Sequence, residues 1–289
     1  MDGTLSEVGR ISHMVLRRPQ DAFISQRHID SQWQMLKYTE CPSFEKAIKE
    51  YDHFVKFLID CGITIDFLPA HESLSLDSLY VRDATIVSHQ GVILCNMGKV
   101  ERSHEPAVAG AAFRQRGIPV VGAIQGDGRL EGGDVVWLDD HTLAVGRTYR
   151  TNNEGITQLT SLLDGEVEVI SVHLPHYRGP GDVFHLMSIF SPLDHDLALV
   201  YSPLMPITFR EFLIDRGISL IEVPHTEFET MGCNVLAIEP SRCILLKGNP
   251  ETKKVLEDGG VQVWELEGKE ISLKGQGGPT CLTRPLIRE

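Results

Sequence analysis

The chain has 289 residues, 42% of them hydrophobic and 23% charged, and carries a formal net charge of −13. Such a length buries a full core, and such a composition belongs to a soluble globular protein. So negative a balance argues against nucleic acid or an anionic membrane as partner, because both demand a basic face, whereas a small cation is drawn toward it.

The six cysteines, Cys41, Cys61, Cys95, Cys233, Cys243 and Cys281, form no CxxC pair, so neither a zinc site nor a disulfide framework is spelled out. Reduced thiols in a cytoplasmic protein are the expectation. The N-terminus lacks the apolar core of a signal peptide, and no run approaches the roughly 18 apolar residues of a membrane span.

In chain order, residues 14–16 read as a short strand. The apolar spacing at Phe44, Ala47, Ile48, Tyr51, Phe54, Val55 and Leu58 predicts an amphipathic helix that starts at Ser43 as N-cap and is stopped by Gly62. A strand follows over 63–69, then a hairpin of 84–89 and 92–96 about Gln90-Gly91. Residues 107–116 read as a helix ended by Gly117, with a strand at 118–121. Strands at 135–138 and 142–145 flank an Asp-Asp-His turn, and a helix over 156–163 leads to a strand at 166–172. The same order returns as strands 189–192 and 197–201, helix 207–216 and strand 219–223. It returns again as strands 235–238 and 243–246, helix 250–258 and strand 261–264.

One helix, one strand and a two-stranded ribbon thus recur at roughly 50 to 60 residues, an internal pseudo-repeat within one α/β domain spanning 1–289. Residues 1–10 read as a loose leading segment. The Gly-Pro stretches at 178–181 and 275–279 are too short for linkers and read as site loops.

Four motifs carry chemistry. In Leu76-Asp77-Ser78-Leu79-Tyr80-Val81-Arg82-Asp83, strand alternation puts Asp77 and Asp83 on one side, and paired carboxylates suit a guanidinium. Taken alone they read rather as turn-capping acids. In Leu130-Glu131-Gly132-Gly133-Asp134, glycines allow close backbone approach and Glu131 is placed to orient an imidazole or a cation. The nearby Gly126-Asp127-Gly128 does not complete GxGxxG, which excludes a dinucleotide site.

His185, behind Gly179-Pro180-Gly181, is a general acid or base by type, although it is one of twelve histidines. His173 and His176 beside it lack a carboxylate or cysteine at metal-ligand spacing, so no metal is expected. In the polar junction 146–155, an arginine suits a substrate carboxylate. Finally, Gly277-Gly278-Pro279-Thr280-Cys281 sets a reachable thiol in a loop. A thiol reacts as thiolate, and its ordinary pKa of about 8.5 calls for a positive or hydrogen-bonding neighbour.

Together, Asp77 to Asp83, Glu131-Gly-Gly-Asp134, Arg150-Thr-Asn152, Phe184-His185-Leu186 and Gly-Gly-Pro-Thr-Cys281 occur in the order seen in guanidino-group modifying enzymes. Over residues 10–289 the chain resembles the superfamily of dimethylarginine dimethylaminohydrolases, arginine deiminases and amidinotransferases, and the dimethylargininase branch most. The resemblance implies a five-bladed α/β propeller, the pentein fold, built of ββαβ units about a polar centre. It implies Cys281 as nucleophile on the guanidinium carbon, His185 as acid and then base, and Glu131 orienting His185. Asp77 and Asp83 would hold the guanidinium, and Arg150, helped by Arg102, the substrate carboxylate.

The implied reaction converts dimethylarginine or arginine to citrulline plus an amine or ammonia through a covalent thiouronium, with no cofactor. The partner is then a small cationic guanidino amino acid, and a homodimer is an assembly common among such enzymes. Three features bear on the branch, the first being the Cys281 loop, which with Gly277-Gly278-Pro279 before it and Arg284-Pro285 after it resembles the deiminase style more closely. Met187 stands where deiminases and amidinotransferases usually carry an acid, and Arg82 stands where dimethylargininases often have one. An amidinotransferase using the same intermediate, and a ligand-binding protein without catalysis, are the alternatives.

Overall fold

The computed structural model describes residues 3–163, 165 and 167–289. The first strand, β1 (Ile11–Leu16), is followed by helices α1 (Pro19–Ala22), α2 (Gln26–Gln32) and α3 (Phe44–Asp60), and then by β2 (Thr64–Phe67), parallel to β1. Next come the hairpin β3 (Thr85–Ser88) and β4 (Gly91–Leu94), helix α4 (Glu105–Gln115), and β5 (Val120–Ala123), parallel to β4.

The same hairpin, helix and parallel strand repeat three times. They are β6 (Val135–Asp139), β7 (Thr142–Arg147), α5 (Asn153–Leu162) and β8 (Glu168–His173); β9 (Phe190–Asp194), β10 (Leu197–Val200), α6 (Ile207–Asp215) and β11 (Ser219–Glu222); and β12 (Leu236–Glu239), β13 (Arg242–Leu246), α7 (Pro250–Asp258) and β14 (Gln262–Leu266). The last strand, β15 (Arg284–Arg288), returns to pair antiparallel with β1, completing the first unit from the far end of the chain. Among the described residues the result is five three-stranded sheets of mixed pairing, which fits a fivefold pseudo-repeat.

Local sequence explains most of this. Helix α3 buries Ala47, Tyr51, Phe54 and Leu58 along one stripe, and Gly62, at φ +81°, ends it in the left-handed region. Removing Phe54 and Leu58 from water contributes about 1.5–3 kcal/mol each. Ser43 stands at the N-cap but its side chain makes no capping bond; its amide donates to Glu270 Oε2 at 2.7 Å instead. The middle strands β4 and β10 are buried almost throughout, as expected of strands flanked by a partner on each side and covered on both faces.

Three readings change. Residues 76–84 form two successive 3₁₀ turns, Leu76–Leu79 and Val81–Ala84, rather than strand. Residues 4–10 are not loose: the Thr4 amide donates to Arg288 O at 2.9 Å, Leu5 is buried, and Glu7 pairs with Arg82 at 2.6 Å. Two buried apolar side chains, Leu5 and Val8, and a buried ion pair hold this segment, and two such residues spaced three apart are too few to show a period in the sequence. Strand β8 begins at Glu168, and Glu166, the predicted start, lies outside the described residues. Among the described residues no helix is long and apolar enough to cross a membrane.

Candidate active site

The site is assembled from the loops that follow or precede these strands. The two 3₁₀ turns before β3 bury Asp77 and Asp83. Glu131 precedes the turn Gly132–Asp134 that enters β6, and His185 opens the turn Leu186–Ser188 that enters β9. Arg150 follows β7, and Cys281 lies in the loop before β15. These loops enclose a cavity of about 400 Å³ lined by Asp77, Asp83, Arg102, Arg150, His185 and Cys281. Of the seven residues singled out from sequence, only Glu131 is absent from the wall; it sits behind His185, fully buried.

Glu131 is the hub. Its Oε2 lies 2.8 Å from His185 Nε2, its Oε1 accepts the amides of Gly98 and Lys99 at 2.9 and 3.1 Å, and Arg150 donates to both oxygens at 3.2 and 3.3 Å. Burial alone would raise its pKa, but the hydrogen bond from His185 and the charge of Arg150 outweigh burial and hold the carboxyl well below the usual range. For His185, burial opposes the charged form. Asp134, Asp83 and Glu131 overcome it and lift the imidazole to about 9. The glycines after Glu131 exist for approach: a side chain at Gly133 would come within 2.6 Å of His185 Nδ1 and 2.9 Å of Asp83 Oδ1.

Both acids proposed for a guanidinium already hold a cation. Asp83 accepts Arg102 at 2.5 Å and the Gly133 amide at 2.9 Å, and Arg102 is itself held by Glu105 at 2.8 Å. Asp77 pairs with Lys99 at 2.6 Å. Asp77 is thus already ion-paired at the cavity wall. Arg150, expected to face a substrate carboxylate, lines the cavity while spending its NH1 on Glu131.

Cys281 is half-buried, and burial followed by the charge of Asp83 pushes its thiol up to about 11. Asn234 works against this, donating from Nδ2 to Sγ at 3.4 Å. The same side chain accepts the Thr280 amide at 3.2 Å. The glycines before Cys281 serve packing more than access: a Cβ at Gly277 would meet the Tyr80 ring at 2.4 Å, and one at Gly278 would meet Asn234 Oδ1 at 2.3 Å.

A metal ion does not suit the cluster of Asp83, Glu131 and His185, although one ligand atom from each lies within 4.8 Å of the others. Their oxygens are occupied by amide, guanidinium and imidazole donors, and Arg102 and Arg150 supply the positive charge an ion would bring.

Sequence reasoning missed Asn234, Lys99 and Asp134. Asp134 accepts the hydroxyls of Thr148 and Thr151 at 2.8 and 2.6 Å and the Leu186 amide at 3.0 Å, and so fixes the turn that carries His185. It was visible only as the end of the Glu-Gly-Gly-Asp motif. A second lobe of about 300 Å³ opens beside Cys281 and His185, lined by Phe184, Met187, Phe228 and Met231 and also by Arg178, Asp182 and Glu229.

A sequence model for the family described as N,N dimethylarginine dimethylhydrolase, eukaryotic, matches residues 20–288. An uncharacterized protein of Bacillus subtilis is 30% identical over 98% of this chain and 94% of its own length. The dimethylarginine dimethylaminohydrolase of Pseudomonas aeruginosa is 26% identical over 84% of this chain and 89% of its own. A solved structure of a cysteine-to-serine mutant of dimethylarginine dimethylaminohydrolase from that organism, complexed with citrulline, superposes with a TM-score of 0.76 at 23% identity, covering 97% of this chain and 100% of the other.

Proposed function

The chain belongs to the dimethylarginine dimethylaminohydrolase family of the guanidino-group modifying superfamily and is a hydrolase of guanidino C–N bonds, and on that premise we propose that it converts dimethylarginine to citrulline and dimethylamine. One observation carries the reading: Cys281 and His185 line one cavity with Asp77 and Asp83, and Glu131 holds His185 at 2.8 Å from behind. A closed ring of the five ββαβ units, with this site at its centre, is part of the same reading. It is supported by the pairing of β15 with β1.

The resting site holds a thiol and an imidazolium, since burial keeps Cys281 near 11 and the surrounding carboxylates keep His185 near 9. A guanidinium bound beside Cys281 places positive charge at the sulfur, and the thiol loses its proton to solvent. The thiolate attacks the guanidinium carbon, forming a C–S bond. His185 gives its proton to the departing nitrogen, the C–N bond breaks, dimethylamine leaves, and an S-alkylthiouronium remains on Cys281. His185, now neutral, takes a proton from water; the hydroxide adds to the same carbon, and collapse breaks the C–S bond, passes the hydroxyl proton to the departing Cys281 sulfur, and leaves the ureido group of citrulline. Protein groups and water suffice, and a cofactor has no step to perform.

Dimethylarginine is favoured over arginine by the second lobe. Its Phe184, Met187, Phe228 and Met231 give N-methyl groups apolar contacts among the charged side chains of Arg178, Asp182 and Glu229, and Met187 itself offers no acceptor for the extra N–H groups of a free guanidinium. The proposal extends to a cytoplasmic enzyme with neither nucleic-acid nor membrane partner, acting alone or as a homodimer. Incubating the purified protein with arginine, monomethylarginine, dimethylarginine and guanidino acids, and measuring ureido product, released amine and mass on Cys281, tests it. Equal release of dimethylamine and citrulline, lost in Cys281→Ser, is the expected result. No product and no Cys281 adduct across the panel overturns it, and guanidine consumption that requires an added amine points to the transferase instead.

A further inference from the structure

A small cavity of about 30 Å³ is lined among others by Ser6, Glu7, Arg82, Arg284 and Arg288. The three guanidiniums are 1%, 5% and 4% exposed. Glu7 is the single acid in the wall, 2.6 Å from Arg82 and 3.8 Å from Arg288. Arg288 NH1 donates to the carbonyls of Gly9 and Ala237 at 2.6 and 3.0 Å, and Arg284 donates to Arg82 O.

Among the described residues Arg82 Nε, Arg284 Nε and Arg288 NH2 find no hydrogen-bond partner, and Arg82 NH2 has only its ion pair with Glu7, without hydrogen-bond geometry. In the wall itself three buried cations face one carboxylate, with Asp83 acting on Arg284 from outside it, and a buried charge short of partners is among the costliest groups a fold can carry. Burial first, then the charge of Arg82, pulls Arg284 down to about 9, and burial likewise pulls Arg288 to about 10.

We propose that this cavity is a binding site for a small monovalent inorganic anion of halide size, seated among Arg82, Arg284 and Arg288. A water molecule needs about 10–15 Å³ by the same measure, so the cavity suits one such ion and not a large organic anion. Ser6 Oγ accepts the amides of Val8 and Gly9 at 3.2 and 2.8 Å, which leaves its own proton to donate toward the ion. The site is tied to the catalytic loops through the main chain. Arg82 N donates to Cys281 O at 3.2 Å, and Arg284 holds Arg82 O, so an occupant steadies both the segment bearing Asp83 and the loop bearing Cys281.

The test takes the full chain into sodium gluconate and titrates sodium bromide or chloride at constant ionic strength. A saturable rise in unfolding temperature with either halide, absent in gluconate, is expected, because a ligand that binds only the folded state stabilises it by mass action. Glu7→Gln removes the competing carboxylate and should lower the half-saturating halide concentration about tenfold, the effect of one close charge at ~1.4 kcal/mol. Arg288→Met should abolish the saturable response. Crystals grown in bromide should show an anomalous peak among the three guanidiniums. Superimposable melting in bromide and gluconate, together with no such peak, overturns the proposal, and if either variant fails to fold the anomalous map of the wild type decides.

Discussion

Asn234 touches Cys281 with one end and holds its loop with the other: Nδ2 donates to Sγ at 3.4 Å while Oδ1 accepts the Thr280 amide at 3.2 Å. A hydrogen bond to a charged acceptor is worth about 1.5–3 kcal/mol, so this contact favours the thiolate over the thiol. Asn234→Ala should lower kcat about tenfold to a hundredfold. Asn234→Asp keeps the acceptor for Thr280 but faces the sulfur with a carboxylate, and should be worse than alanine. If the aspartate variant matches wild type, the asparagine acts only on loop structure. Rates of Cys281 alkylation against pH, read on the Cys281 peptide, separate the two roles.

Glu131 sets the charge state of His185, and its loss should appear on the alkaline side of the pH profile. The imidazole must be protonated to expel the amine, so activity falls as pH rises through about 9. Glu131→Gln removes the negative partner at 2.8 Å, and the alkaline limb should move toward 6.5, with kcat down about a hundredfold. The same linkage acts on stability. The folded-state pKa of His185 is raised, so the stabilisation is complete below pH 6.5 and lost as pH climbs through about 9. Glu131 is depressed, so its contribution is present above its ordinary 4.5 and lost as pH falls through its lower folded value. Wild-type minus variant unfolding free energy should therefore be greatest between these limits, and a flat difference would break the assignment.

The resting thiol is a second measurable consequence. With its pKa near 11, Cys281 of the free protein should react with iodoacetamide about tenfold faster per pH unit up to that value. A bound cationic guanidine that is not turned over should shift the midpoint downward, because the positive charge lies beside the sulfur. A free-enzyme midpoint near 7 would mean that the protein alone ionises the thiol, and the substrate would lose its part in activation.

How much of this was legible before any coordinates follows from the range of each interaction. Helix α3 and the hairpin β3–β4 were read closely because their periodicity and turn glycines are local. Helices α1 and α2 were not seen, being four and seven residues long, too short to show a period. Strand β15 was missed because its partner β1 lies at the opposite end of the chain. Asp77 and Asp83 were placed on one pocket by a strand alternation that does not exist; two 3₁₀ turns bring them to the same wall. Cys281 and His185 stood out through motif order. Asn234 could not, since its partner is 47 residues away and no motif surrounds it.

Met187 gives the sharpest test of substrate choice. It lies two residues beyond His185, 5% exposed, in the wall of the second lobe beside Cys281. A carboxylate there would accept the N–H groups of an unsubstituted guanidinium and would be left unpaired by two N-methyl groups. A buried acceptor without its donor costs about 1–3 kcal/mol. Met187→Asp should therefore shift the ratio of kcat/KM for arginine over dimethylarginine upward by about tenfold to a hundredfold. The new negative charge also opposes the thiolate, so absolute rates on dimethylarginine should fall while Cys281 alkylation moves to still higher pH. Met187→Leu keeps the apolar wall without the charge, and should leave the ratio within a few fold of wild type. A ratio unchanged by aspartate, in a variant that folds and still alkylates at Cys281, would mean that the leaving nitrogen does not face this lobe, and the preference for a methylated substrate would lose its structural basis.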